Sequence, residues 1–444
     1  MNACVECYFI GVFRRILTAF GLLLVVTTVC NAHFFTQPGG FLYAQYKLNH
    51  KVIVTTADGK MAVVLKNDEY PNLHRALITT FDLTSGVVLD NESMGFGPLG
   101  VELAETENGI RVVVLTSEGG PRKIYLFSLD SAGNLTLINS TQLTTSGTDL
   151  GSNIVVSAGS QTGFAIVASA DFQVKELVTF SLVNASILNR YSASNPQWQI
   201  YADLVVSLME RNDKRILTFM NDVSAAPRLQ LIDVFNPLEP VDLGGIPLPN
   251  SGSFLGSGNG AAAFSLDGRY AFTGSPYMEL VAVDLQTMQA ISHIDGTYGC
   301  SNVRILENVQ ERLLAAQCFG NPGANDLSGG IRLINATNPA QISVINTFNL
   351  SNADVISRGD VVFSKTGKHM LVQTGQRLLA VTVPALTTAW TEPVPGATES
   401  FPVASHDLVL YGEHERVLGA WGNTATLFGL FEVDRRRRGQ TVSD

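Results

Sequence analysis

Short apolar runs alternate with clusters of Gly, Asp, Asn and Ser along most of the chain, and the alternation is itself periodic. An apolar run ending in a Phe-Asp-Leu-like triplet recurs with triplet starts at Phe81, Phe127, Phe180, Ile232, Val283, Leu333, Val381 and Phe431; by subtraction these are 46, 53, 52, 51, 50, 48 and 50 residues apart. Within each period the order is the same: apolar strand, tight turn, second apolar strand, polar loop, triplet strand, and a weaker fourth. The stretch Ala261-Ala262-Ala263-Phe264-Ser265-Leu266-Asp267-Gly268-Arg269-Tyr270-Ala271-Phe272 shows the first half most clearly. Asp-Gly between two apolar runs is a hairpin signal, because Gly takes the positive φ that the turn demands. Corresponding turns are expected at Asp58-Gly59, Asn108-Gly109, Thr162-Gly163, Asn212-Asp213, Asp267-Gly268, Val309-Gln310, Thr366-Gly367 and His414-Glu415. The turns and the triplets agree on eight units.

Repeats of this length made only of strands are the signature of radial arrays of small sheets. The expected fold is therefore all-β, a single β-propeller of about eight four-stranded blades over residues 33–434. Seven is the alternative if one weak unit is an insertion. The last unit has three strands before the charged tail, so its fourth is expected from the N-terminal segment 39–48, which contains Phe41-Leu42-Tyr43-Ala44. Sharing a blade between the two chain ends would close the ring and remove exposed strand edges.

Residues 1–32 read as a signal peptide. Arg14 and Arg15 precede the apolar run 16–29, and Cys30-Asn31-Ala32 resembles a cleavage site. Retention as an anchor, a twin-arginine route and lipidation at Cys30 are the alternatives. A secreted or periplasmic protein without a transmembrane span in its mature chain is expected, as a monomer. Removing the leader leaves Cys300 and Cys318, whose positions on neighbouring strands around the turn 307–311 favour a disulfide over two free thiols. The net charge of −10 and pI near 5.2 argue against nucleic acid as a partner. The four arginines at 435–438 lie in a basic, disordered tail, 435–444, that is either solvated or in contact with an anionic surface.

Phe264-Ser265-Leu266-Asp267-Gly268-Arg269-Tyr270-Ala271-Phe272, followed by Val281-Ala282-Val283-Asp284-Leu285-Gln286-Thr287, resembles the repeat of the bacterial YVTN-type propellers of the lactonase-like superfamily, which are WD40-like in architecture. Phe363-Ser364-Lys365-Thr366-Gly367-Lys368-His369 is a degenerate second copy, and Ala271-Phe272-Thr273-Gly274 replaces the Tyr-Val-Thr-Asn tetrad. These residues build turns and strands, so the resemblance implies a fold and leaves the activity open.

The chain contains no strand-to-helix nucleophile elbow, no phosphate loop, no haem-attachment motif and no His-x-x-x-His pair, so no cofactor and no metal are expected. In a propeller the loops between second and third strands and those between successive units emerge at one face. Loops 67–75, 117–122, 221–228, 275–279, 318–326 and 374–377 belong there. Arg75, Arg122, Trp198, Tyr298, Asp326 and Arg377 are the candidate ligand-binding residues, arginines pairing anions and aromatics stacking. The leading expectation is a scaffold that binds a protein or small molecule at this face. The alternative is a lactone hydrolase with Asp222, Glu279, Asp326 and His74 as candidate acids, bases or metal ligands; a third reading is a structural module of an envelope complex.

Overall fold

The second strands read as nearly unbroken apolar runs because the sheets from the second to the sixth are covered on both faces. Val112-Val113-Val114-Leu115 is fully buried, but its side chains part in alternation: Val112 and Val114 pack with Val63, Leu65 and Ile78, whereas Val113 and Leu115 pack with Ala165, Val167 and Val178. This is the period of two expected of a strand, applied between two neighbouring sheets rather than between core and solvent. The core of the protein is thus a series of apolar layers, one between each pair of consecutive sheets from the first to the seventh.

The computed structural model describes residues 33–37, 40–41, 53–68, 75–117, 121–144, 154–157, 159, 161–168, 175–192, 198–209, 213–222, 228–248, 262–275, 278–294, 300–307, 311–318, 329–350, 361–364, 366–374, 376–393, 405–411, 416–421 and 426–432. The chain divides into Met1–Asn31, which lies outside these residues, and Ala32–Asp444. The strands form seven four-stranded sheets and one five-stranded sheet, all antiparallel. Among the described residues there is no α-helix, and Pro339–Gln341 is a single 3₁₀ turn.

The first sheet contains Gly40–Phe41, Ile53–Thr55, Met61–Asp68, Arg75–Asp82 and Val88–Phe96. The second runs Pro98–Thr106, Gly109–Thr116, Lys123–Leu129, Leu135–Gln142, and the third Ile154–Ser157, Thr162–Ala168, Lys175–Ser181, Ile187–Ser192. The fourth is Trp198–Met209, Asp213–Asp222, Arg228–Asp233, Val241–Pro247, and the fifth Ala262–Phe264, Tyr270–Ser275, Met278–Asp284, Gln289–His293. The sixth is Cys300–Glu307, Arg312–Cys318, Gly329–Asn335, Ser343–Leu350, and the seventh Val361–Phe363, His369–Gln373, Arg377–Thr382, Thr388–Pro393. Ser405–Tyr411, Arg416–Trp421 and Thr426–Glu432 make up the last, with His33–Gln37 as its outer strand.

Two expectations are corrected here. The N-terminal strand of the last sheet is His33–Gln37, with His33 opposite Leu430 and Gln37 opposite Thr426, and not segment 39–48. Phe34-Phe35-Thr36 is the more strand-prone run, and Pro38, with no N–H to donate, follows the strand's last residue, Gln37. Gly40 and Phe41 pair instead with Asp68 and Asn67 in the first sheet. Second, Thr162-Gly163 is not a turn: Gly163 sits within a strand, opposite Val156 and Phe180. A Cβ there would lie 2.1 Å from the Phe180 ring, so the glycine makes room for a buried aromatic.

The fourth strands are largely exposed, as in Leu135–Gln142 and Ser343–Leu350, which explains their weak sequence signal. In sheets one to seven each carries a β-bulge against the third strand. After the bulge, Asp90, Asn139, Asn189 and Asn346 each accept the next backbone N–H on their side-chain oxygen, at 2.8, 2.8, 2.8 and 2.9 Å. Several of these side chains also reach the following sheet. Asp90 accepts from Leu135 N at 2.8 Å, Asn139 donates to Asn184 O at 2.8 Å, and Asn346 donates to Ala385 O at 3.0 Å. Ser292 occupies the same place in the fifth sheet and donates to Pro339 O at 2.5 Å. A bulge re-aims a side chain; here it turns polar groups toward the neighbouring sheet.

Candidate binding face

Antiparallel order sends the hairpins between first and second strands, and those between third and fourth, to one end of every sheet. The connections between second and third strands, and those between sheets, go to the other end. The two ends are built differently.

At the hairpin end, Thr56 donates to Asp58 Oδ1 at 2.7 Å, and Gly59 supplies a φ of 66°. Ser265, Asp267 and Gly268 repeat the arrangement in the fifth sheet, as do Ser364, Thr366 and Gly367 in the seventh. In the third sheet Gly159 stands where the Asp would be, and the buried Ser157 hydroxyl has no partner among the described residues. The Thr56 hydroxyl, with the Lys60 N–H, holds the Asp58 carboxyl below the ordinary aspartate value despite some burial. Burial pushes Asp267 upward, but the Ser265 hydroxyl and the Arg269 N–H outweigh it and leave it lowered. Burial likewise opposes the Thr287 N–H and Arg269 at Asp284, and the net direction is again down.

These turns are latched to the next sheet by carboxylates at or near the end of its first strand. Ala57 N donates to Glu105 Oε1 at 2.7 Å, and Leu266 N to Glu307 Oε2 at 2.6 Å. Around Glu307 the contacts become a network. Arg312 donates to Glu307 through two nitrogens, and both side chains are only 12% and 11% exposed. The Arg312 guanidinium lies 5.4 Å from the Tyr270 ring centroid and 5.8 Å from that of Phe272. Arg269 stacks on Tyr270 at 5.1 Å and pairs with Asp284 at 3.0 Å. Between the third and fourth sheets, burial and the carboxylate of Asp242, which accepts its hydroxyl, push Tyr191 up to about 12. These groups meet one another's hydrogen-bonding needs, and they hold sheets together.

The candidate ligand residues belong to the opposite end. Arg75 opens the third strand of the first sheet and is exposed. Arg377 opens that of the seventh and is half-buried, in a tight turn where Thr374 N donates to Arg377 O at 2.9 Å. Trp198 opens the first strand of the fourth sheet, opposite Asp222 in register. Arg122 lies just before the third strand of the second sheet but is 2% exposed and engaged within the fold. Its carbonyl accepts from Leu143 N at 2.7 Å and its N–H donates to Thr144 Oγ1 at 2.8 Å. A guanidinium buried this deeply is held by its neighbours rather than presented to a ligand. Tyr298 and Asp326 lie outside the described residues, as does His74. Asp222 ends the second strand of the fourth sheet and Glu279 lies near the start of the third strand of the fifth, both at this end. Cys318 is disulfide-bonded and stands opposite Cys300 in register.

Among the described residues no group of three or more His, Cys, Asp or Glu is placed to hold a metal ion, and no helix is long and apolar enough to cross a membrane. The sequence reading missed the Asx side chains at the fourth-strand bulges and the latch carboxylates. The near-fifty-residue spacing of Asp90, Asn139 and Asn189 was the available signal.

No protein-family profile and no curated protein sequence matches this chain. Among solved structures it is similar to dihydro-heme d1 dehydrogenase NirN in complex with DHE, with a TM-score of 0.60 and 13% identity over 90% of this chain and 75% of that one. It also matches the Cps50 (Swd1) β-propeller domain of Myceliophteria thermophila, with a TM-score of 0.47 and 12% identity over 88% of this chain and 99% of the other. The sheet order and the first likeness together define the class: the chain has a β-propeller fold. At this identity the likeness extends to the fold alone.

Proposed function

We propose that this chain is an exported β-propeller whose eight sheets close into a ring, and that it binds a protein or small-molecule ligand at the loop-rich end of its blades. The observation that carries this reading is the division between the two ends: hairpin-end carboxylates are engaged in turns and latches, whereas Arg75 and Arg377 open third strands at the other end. Ring closure is supported by the first strand of the last sheet lying against that of the first, and by His33–Gln37 completing the last sheet. Export is supported by the N-terminal leader and by a disulfide at Cys318, which we assign to the facing Cys300. The bridge would brace the loop-rich end of the sixth blade.

The test is thermal-shift screening of the secreted mature chain against carboxylate- and phosphate-bearing compounds and peptides. A stabilising ligand is expected whose effect is lost in Arg377→Ala and in Arg75→Ala, the melting temperature of the latter without ligand staying unchanged. A ligand that stabilises both variants as well as it does the unaltered chain would refute this placement of the site.

A hydrolase reading is favoured by the placement of Asp222 and Glu279 at the same end of adjacent sheets. It requires a general base or metal-bound water there. Lactone hydrolysis that disappears in Asp222→Asn or Glu279→Gln would establish it, and no turnover across a lactone panel with and without divalent metals would dismiss it.

A further inference from the structure

The chain contains six Asn-x-Ser/Thr sequons, beginning at Asn91, Asn134, Asn139, Asn184, Asn335 and Asn349. Each asparagine lies on a fourth strand, at the end of the third, or in the turn between them, in sheets one, two, three and six, and each is exposed. The described acceptor motifs fall along the outer edge, with Asn349, opposite Gly330, toward the loop-rich end.

That edge has a physical need for cover. The fourth strand is the last of its sheet, so one side of its backbone is unpaired, and an exposed apolar edge is a site for unwanted strand addition. Large apolar side chains are exposed beside the sequons, Val87 at 57%, Leu137 at 50%, Val183 at 49% and Ile345 at 44%, as they are also in the fourth sheet, which has no sequon, at Phe235 and Leu238. The side-chain nitrogens of Asn91, Asn184, Asn335 and Asn349 donate no hydrogen bond among the described residues, whereas Asn134 donates to Asp130 Oδ2 and Asn139 to Asn184 O, both at 2.8 Å. In two of the free sequons the Asn oxygen accepts the N–H of the hydroxyl residue, Ser186 to Asn184 at 3.1 Å and Thr337 to Asn335 at 3.0 Å. This turn folds the motif's two functional side chains toward each other.

We propose that Asn91, Asn184, Asn335 and Asn349 carry N-linked oligosaccharides that cover the apolar outer edges of the first, third and sixth sheets. The modification rests on the export reading, because its donor, a lipid-linked oligosaccharyl diphosphate, and its transferase are found in a secretory compartment. The asparagine Nδ2 forms a bond to the sugar C1, the C1–O bond to the lipid diphosphate breaks, the diphosphate leaves with the electron pair, and one Nδ2 proton passes to a base on the transferase.

The full chain is expressed in a secreting eukaryotic cell, once with residues 1–32 and once with a leader of established secretory function. The secreted protein is then treated with peptide:N-glycosidase in heavy-oxygen water, which marks each occupied Asn as labelled Asp. The four free-amide sequons are expected to be mostly occupied, and Asn134 and Asn139 much less so. Combined Asn→Gln substitution at the four is expected to raise the aggregated fraction several-fold while the melting temperature stays unchanged. Export by either leader without glycan, or glycan confined to Asn134 and Asn139, overturns this proposal alone. A chain that its own leader leaves in the cytosol overturns the export reading, and the modification of the native protein with it.

Discussion

The junction between the first and second sheets and that between the fifth and sixth share one device, a carboxylate of the following sheet that accepts a turn N–H of the preceding one. Their surroundings differ. Glu105 is exposed, and its junction relies further on neutral or singly charged contacts, Thr80 Oγ1 to Gly133 O at 2.7 Å and Leu135 N to Asp90 Oδ2 at 2.8 Å. Glu307 is half-buried beneath Arg312, which also covers Tyr270 and Phe272, and the far end of the same sheet holds the disulfide-bonded Cys318. The same geometry is worth more where water is excluded, because screening falls and a lost partner leaves an uncompensated charge.

The comparison breaks first at the core beneath the network. Phe272 is fully buried between the fifth and sixth sheets, and Phe272→Ala is expected to cost about 3–5 kcal/mol, read as a lowered denaturant midpoint with an unchanged slope. Cys318→Ser is expected to cost about 3 kcal/mol for a closed loop of this size; reductant should lower the melting temperature of the unaltered chain and leave the variant where it is. Arg312→Ala should cost about 2 kcal/mol, because Glu307 loses its partner while half-buried. Glu105→Ala, removing an exposed acceptor, should cost less than about 1 kcal/mol. Equal losses in these last two would show that burial does not distinguish the junctions.

The smallest effect is in pH dependence. Asp58, Asp267 and Asp284 are held below their ordinary value in the folded chain, so their contribution is present above about pH 4 and is lost as the pH falls through the lower folded values. Asn in place of Asp284 should flatten the acid limb of the stability curve more than Asp58→Asn does, since Asp284 is buried and paired with Arg269. Melting temperatures between pH 3 and 6 would check it.

Much of the architecture was legible in the chain. The second and third strands, packed on both faces, had to be apolar throughout, and the hairpins at Gly59, Gly268 and Gly367 needed a positive φ. The fourth strands were faint because solvent lies beside them. The outer strand of the last sheet was misplaced from 33–37 to 39–48, since two short apolar segments flank Pro38-Gly39-Gly40 and only pairing partners distinguish them. The sequence assigns the candidate residues only to loops at one end, and Arg122 shows that a position before a third strand does not tell whether its side chain faces water or the fold.

The amino-acid order by itself determined the strand repeat and the hairpins at Gly59, Gly109, Gly268 and Gly367, because hydrophobic period and turn chemistry act over a few adjacent residues. Tertiary structure alone decided which groups close the fold: the latch partners Ala57 and Glu105 are 48 residues apart, and Leu266 and Glu307 are 41 apart. A turn N–H satisfied from the next sheet leaves no mark in its own segment; the acceptor comes into reach only when two sheets pack face to face.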